Sequence, residues 1–325
     1  LTYQRRVKRN RNANAGSDFI SLVLKLEQEK LLGQVAGAKM IVDIDGSIIS
    51  YKEYVEKYED FDIRPMLNVY PDSINGNVSG LIEFIKSYTS GAFSSIYMLP
   101  SVFHSDLDRG FSVIDYDLEG TMASKEDIRE LSNMGLTLKM DFVMNHTSED
   151  HEWAKRARNG EGEYMSRYFF YDNDEIPKQY EKTVPQVFPT TAPGNFTYLP
   201  DLNHYVLTTF YPYQWDLNYK NPRVFNEMMY NFLFLANQGI DVIRIDAVPY
   251  IWKELGTPSR NLPQVHTIVR MMRMIGEIVC PSVILLGEVV MEPEKVVPYF
   301  GTVENPECHL LYNVTTMATT WHTVA

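Results

Sequence analysis

GIDVIRIDAV, residues 239–248, is the stretch on which the reading of this chain turns. Successive side chains of a β-strand point to opposite faces, so Ile243 and Ile245 share one face while Arg244 and Asp246 share the other. An arginine and an aspartate on the inner face of a buried strand are costly unless they are paired or functional. In a barrel of parallel strands that face is the interior, and the carboxyl end of the strand is where ligands are met. There Arg244 is expected to hold Asp246 ionised and oriented. A simple interior salt bridge is the other reading at this point.

Working outward, short apolar runs at 63–69, 95–99, 137–143, 241–245, 283–286 and 309–312 read as strands. Helical patterns fill 80–88, 124–134, 222–238, 262–279 and 292–300. Ser124 with Asp127 makes an N-terminal capping box, and Pro222 suits a first helical turn. The alternation implies parallel strands joined by crossover helices, an α/β chain of the (β/α)8 TIM-barrel class. Six strands are counted where a closed barrel needs eight, so the expectation is a barrel truncated after about six strands. Residues 59–325 are read as this partial barrel and 1–58 as a mainly helical leader, interrupted by AKMIVDIDGS. Residues 146–221, rich in aromatics, Pro and Asn, form a long insertion after the third strand, and a connection of that length is functional or a subdomain.

The bulk numbers exclude some partners. A net charge of −12 over 325 residues argues against nucleic acid and disfavours anionic membrane surfaces. The chain has no apolar run approaching the roughly 18 residues of a membrane span. Two cysteines, Cys280 and Cys308, are too few for a disulfide framework and point to a reducing cytoplasm. Sequons at Asn77, Asn145, Asn195 and Asn313 read as coincidence without a secretory signal. The chain begins at Leu1, which leaves secretion open. No ligand cluster demands a metal or cofactor, and the oligomeric state is not legible.

Three further strand ends carry polar residues. DFVMNH (141–146) closes the third strand with His146, a hydrogen-bond donor for a sugar hydroxyl or a structural histidine. VILLGEVV (283–290) ends on Glu288, whose desolvation would raise its pKa and suit it to general-acid work. SDLDRGFSVIDY (105–116) offers Asp108 to close a sugar pocket and Phe111 to stack on the sugar's apolar face, though an ordinary turn would read the same way. Asp246 and Glu288 together supply the two carboxylates that glycoside chemistry needs, one to attack the anomeric carbon and one to protonate the leaving oxygen.

Taken together, DFVMNH, IRIDAV (243–248) and LLGEVV (285–290) resemble the first three signature regions of the α-amylase superfamily, glycoside hydrolase family 13. YQWDLN (213–218) resembles the family's extra region in the long third connection. Within the family, residues 145–172, 187–198, 208–226 and 233–257 look most like amylosucrase, and the 42-residue spacing of Asp246 and Glu288 suits that branch. NVYPDSINGN (68–77) with DRGFSVIDY (108–116) looks more like the sucrose-phosphorylase branch. The resemblance implies Asp246 as nucleophile, Glu288 as acid/base, and Asp108, Phe111, His146, Tyr213 and Arg244 as sugar contacts. It implies action on sucrose, with transfer of glucose to a glucan or water. The alternatives are a sucrose or glucosyl-glycerate phosphorylase, an α-1,4-glucan hydrolase, or an inactive carbohydrate-binding fragment. A metal is not implied, although calcium sites in the family often use the Asn at position 145. The family's fourth region, its last two strands and a C-terminal β-domain are not found, so this chain is expected to be a truncated and inactive form.

Overall fold

Six parallel strands lie side by side in chain order: β1 (Met66–Val69), β2 (Ser95–Met98), β3 (Thr137–Val143), β4 (Val242–Asp246), β5 (Ile284–Gly287) and β6 (Leu310–Leu311). This computed structural model describes residues 64–89 and 91–314, together with an antiparallel strand pair, Met40–Val42 with Ile48–Ser50. That pair falls in the stretch expected to interrupt the leader; the helices expected on either side lie outside the described residues.

Each of β1 to β5 is followed by a helical crossover: α1 (Val78–Tyr88), α2 (Lys125–Asn133), α3 (Pro222–Asn237), α4 (Pro263–Val279) and α5 (Pro293–Val296). Adjacent parallel strands in chain order, each with its covering helix, are the arrangement of a (β/α)8 barrel traversed through six strands. The termini follow local chemistry. Ser124 and Asp127 form the reciprocal capping box of α2, and Asn221 caps α3 with Pro222 in its first turn. The helix expected over 292–300 divides into α5 and a 3-10 turn, Val297–Phe300, because Pro298 has no N–H to continue the ladder.

Every residue of β3 and β4 is buried, as strands packed on both faces require. Their outward side chains, among them Phe142, Ile243 and Ile245, join the apolar stripe of α3 and α4. That stripe is Met228, Met229, Phe232 and Leu235 on α3, and Val265, Ile268, Val269 and Met272 on α4, at helical spacing. Among the described residues no helix is long and apolar enough to cross a membrane.

The segment between β3 and α3 is closed at its base. His146–Ser148, where it leaves β3, pairs antiparallel with Gln214–Asp216, where it returns. Beyond the pair it builds a three-stranded antiparallel sheet from 170–171, 196–199 and 204–207, with Trp215 fully buried against the rings of Tyr168 and Phe170. A buried cation fastens this base to the barrel. The Lys253 ammonium lies 2.7 Å from Asp216 Oδ2, and donates to Asn145 Oδ1 at 2.9 Å and to the Tyr250 carbonyl at 2.5 Å.

Lys253→Met would leave Asp216 buried without its counter-ion, and breaking a buried pair from one side costs about 3–5 kcal/mol. Urea unfolding should show a loss of that size; a loss below about 1 kcal/mol, the level of a surface pair, would show that Lys253 does not fasten the segment.

Candidate active site

The centre of the site is one guanidinium. Arg244 Nη1 donates to Asp246 Oδ1 at 2.8 Å and to Asp141 Oδ1 at 2.5 Å, while Nη2 lies 2.5 Å from Glu288 Oε1. The register explains the meeting: Arg244 stands level with Asp141 on β3 and with Leu286 on β5, two residues before Glu288. Asp141 is further held by the Tyr97 hydroxyl, which donates to both of its oxygens at 2.9 and 2.8 Å.

Glu288 is aimed by the backbone. Ala247, the residue after Asp246, adopts a left-handed conformation with φ of 50°, and its N–H donates to Glu288 Oε2 at 3.0 Å. A non-glycine residue in that region stores of the order of 1 kcal/mol, and such strain gathers at functional sites. Burial raises Glu288 above the ordinary carboxylate range, as expected from its strand end, and the neighbouring Asp246 charge adds to the rise. Burial also raises Asp246, and Arg244 opposes the shift without cancelling it. The expected lowering by Arg244 is therefore present but outweighed. The contact between the two carboxyls acts on them in opposite senses, pushing Asp246 down and Glu288 up. Arg244 is held charged by the carboxylates around it, against the burial that opposes its charge.

Asp108 and Phe111 stand on a tight loop after β2 in which Asp108, Arg109 and Gly110 have φ of 52°, 51° and 103°. Gly110 is required there, because a Cβ would lie 2.4 Å from the Ser101 nitrogen. Arg109 fastens the loop outward through two 3.0 Å bonds to Asp72. The Arg244 guanidinium lies 5.7 Å from the centre of the Phe111 ring, so loop and carboxylate cluster border the same space.

His146 is buried and its pKa is pushed down to about 4 by desolvation, so it is neutral at pH 7. Its Nε2 donates to the Phe111 carbonyl at 3.1 Å, and Nδ1 accepts from the Asn145 side chain at 3.2 Å. Both ring nitrogens are thus engaged by protein, and the bond to Phe111 ties His146 to the loop after β2. Tyr213 stacks on Tyr211 at 5.2 Å and faces the charges of Asp106 and Asp108. The residue beside it, Gln214, is the one that reaches inward: its Nε2 donates to Asp108 Oδ2 at 3.0 Å and to the Phe111 carbonyl at 3.3 Å. Gln214 Oε1 is buried without a hydrogen-bond partner. Phe210 lies 5.4 Å from the His146 ring and 5.2 Å from that of Tyr250. Sequence reading passed over Gln214, Phe210 and Lys253; the position of Gln214 in YQWDLN was the one available signal.

Residues 35–323 match the family described as the alpha-amylase catalytic domain. The chain belongs to the alpha-amylase family. A glucosylglycerate phosphorylase of Spirochaeta thermophila is 37% identical over 231 residues, 71% of this chain and 38% of that protein. A trehalose synthase of Pimelobacter is 32% identical over 74% of this chain and 44% of its own length. A sucrose 6(F)-phosphate phosphorylase of Ilumatobacter coccineus is 32% identical over 66% and 46%. The chain therefore spans less than half the length of these curated relatives. Among solved structures, a family GH13_31 enzyme superposes with a TM-score of 0.64 at 25% identity, over 76% of this chain and 50% of that one. The sucrose 6F-phosphate phosphorylase of Thermoanaerobacter thermosaccharolyticum gives 0.67 at 24% identity, covering 80% and 54%, which bears on the fold alone.

Asn145, the residue offered for calcium, directs its oxygen to the Lys253 ammonium, so a cation of the chain's own already takes those oxygens.

Gly287 sets the height of Glu288. A Cβ at Gly287 would lie 2.7 Å from Cys308 Sγ and 3.0 Å from Leu311 Cδ2. Gly287→Ala should cost about 1–3 kcal/mol by overpacking, and Cys308→Ala in the same molecule should return part of that loss. Strictly additive effects in a double-mutant cycle of urea denaturations would show that the Gly287–Cys308 contact is not the constraint.

Proposed function

We propose that this chain carries the catalytic pair of a retaining α-glucoside-active enzyme, with Asp246 as nucleophile, Glu288 as acid/base and inorganic phosphate as the preferred acceptor. The observation that carries the reaction class is the single guanidinium joining the two carboxyls, with Nη1 2.8 Å from Asp246 Oδ1 and Nη2 2.5 Å from Glu288 Oε1. That closeness suits retention, where the carboxyls stand roughly 5–5.5 Å apart, rather than inversion, where roughly 6.5–9.5 Å leaves room for water.

Asp246 attacks the anomeric carbon as Glu288 passes its proton to the departing oxygen, leaving a glucosyl ester on Asp246. Glu288, now ionised, takes a proton from the acceptor, which attacks the ester and restores Asp246. Asp108, Gln214 and the ring of Phe111 hold the glucose, with His146 holding the loop. Sucrose and glucosylglycerate are the donors to try first. The phosphate acceptor is supported by the Asp108–Phe111 loop and by two phosphorylases among the relatives. A second reading, amylosucrase-type transfer of glucose from sucrose to a glucan, is favoured by the likeness of residues 145–172 and 208–226.

The test is release of fructose or glycerate from these donors, with and without phosphate, by this chain and by a form extended to the length of the relatives. Asp246→Asn is the control. Phosphate-dependent release lost in Asp246→Asn is the expected result. Phosphate-independent release with glucan growth would select the second reading, and no turnover of any α-glucoside by the extended form would sink both.

The pH profile gives an independent check. kcat/KM falls on the alkaline side as Glu288 loses its proton and on the acid side as Asp246 gains one. Burial raises both groups, so the bell should lie above the ordinary carboxylate range near pH 4. Glu288→Gln should lower the rate by about 10²–10⁴-fold and remove the alkaline limb.

A further inference from the structure

Beneath the carboxylate cluster the interior holds a second cation that the reaction just described does not use. Lys139 precedes Asp141 by two residues on β3, so it leaves the strand on the same inner face, and it is 3% exposed. Its ammonium donates to the Tyr312 hydroxyl at 2.6 Å and lies 3.6 Å from the centre of the Tyr97 ring. The Tyr97 hydroxyl holds Asp141, and Tyr312 interacts electrostatically with Arg244. Lys139 thus reaches the innermost carboxylate through the Tyr97 phenol and stands, with Tyr312, in the field of the arginine. The charged and titratable groups facing it come from every packed element: Tyr97 on β2, Asp141 on β3, Arg244 on β4, Glu288 after β5 and Tyr312 after β6.

An apolar side chain would fill this position at less cost, because a buried ammonium loses hydration and this one bonds to a phenol rather than a carboxylate. Its charge is what an apolar replacement would lack. Asp141, Asp246 and Glu288 gather on Arg244 alone, and one cation does not neutralise them.

We infer that Lys139 is a positioning residue for the catalytic pair, a fixed second positive charge that keeps the buried cluster neutral through glucosyl transfer. The charge argument rests on the roles proposed above for Asp246 and Glu288. Before transfer, ionised Asp141 and Asp246 face Arg244 and Lys139 while Glu288 is protonated. In the step, an electron pair of Asp246 forms the bond to the anomeric carbon. The bond to the departing oxygen breaks with its pair, and that oxygen takes the Glu288 proton. Asp246 is now a neutral ester and Glu288 an anion, so two anions again face two cations. Without Lys139 the cluster would be one charge too negative on both sides of the step, and loss of the Glu288 proton would be opposed. Burial pushes the ammonium down to about 8, so the balance holds at neutral pH and fades above it.

The test needs no turnover. The chain is labelled with ¹³C at the glutamate carboxyls, Glu288 is assigned through Glu288→Gln, and its titration is followed by NMR in wild type, Lys139→Met and Lys139→Arg. Losing the charge should shift the Glu288 titration upward in Lys139→Met, and Lys139→Arg should return it toward wild type. Should circular dichroism show Lys139→Met unfolded, Tyr312→Phe replaces it; removing the hydroxyl that accepts the Lys139 bond should shift lysine ε-¹³C titration downward and Glu288 upward. An unmoved Glu288 in every folded variant, or a shift in Lys139→Arg as large as in Lys139→Met, would overturn the inference. Shifted titrations in a protein that turns over no α-glucoside would uphold the electrostatic role while defeating the proposed reaction.

Discussion

Removing the Arg244 guanidinium from water is expensive, and the arrangement of the barrel interior follows from that cost. A buried charge must be repaid by partners of excellent geometry. Arg244 finds them on three consecutive strands or their ends: Asp141 on β3, Asp246 on its own strand and Glu288 just beyond β5. Adjacent strands stand about 4.8 Å apart, so side chains at one level of the interior reach one another without loops to guide them. The strand register is thereby tied to the chemistry. A slip of one residue in β4 would turn Arg244 and Asp246 outward into the helices and bring Ile243 and Ile245 inside.

Where the strands end, geometry is set by strained backbone and by backbone acceptors. Ala247 takes a left-handed turn and thereby presents its N–H to Glu288. Three successive residues with positive φ, Asp108 to Gly110, turn the loop after β2 so that Phe111 faces the cluster. The Phe111 carbonyl then accepts from both His146 and Gln214, which stand on the two paired strands at the base of the long insertion. Loop and insertion are therefore clamped at one oxygen atom, and a displacement of either reaches the Phe111 ring beside the carboxylate cluster.

This division explains what the sequence could reveal. Strand residues were legible because period-two alternation and apolar context are local: Arg244, Asp246 and Glu288 were identified with their faces, and β3 was bounded to the residue. Helix starts were legible where the signal is written locally, as at Ser124 and Pro222. Lys253 was not, since its partners Asp216 and Asn145 lie far away in the chain and nothing near it marks it as buried. Gln214 was hidden beside the more conspicuous Tyr213; a pairing of 146–148 with 214–216 decides which of the two faces inward. The Gly287–Cys308 contact likewise depends on how β5 and β6 approach. His146 was read at the end of the third strand, but its bond to Phe111 required knowing where a loop 35 residues earlier would fold.

The two branch signals in this chain come from physically different parts. The segments that look like amylosucrase lie largely in the insertion and β4, whereas the phosphorylase-like residues 68–77 and 108–116 lie around the ends of β1 and β2. A barrel holds its reacting groups on strand ends and changes its chemistry by changing loops. Under the proposed reaction, the groups on β2 to β5 would serve any member that forms an ester on Asp246. The acceptor arrives after the leaving group has gone, and it meets loops. A phosphate dianion approaching an acidic pocket would need that pocket to be neutral or positive when it enters. Under the proposed reaction, ester formation discharges Asp246 while Glu288 becomes an anion, so the charge of the cluster is the same before and after, and Arg244 with Lys139 keep it from turning negative when an anionic acceptor enters.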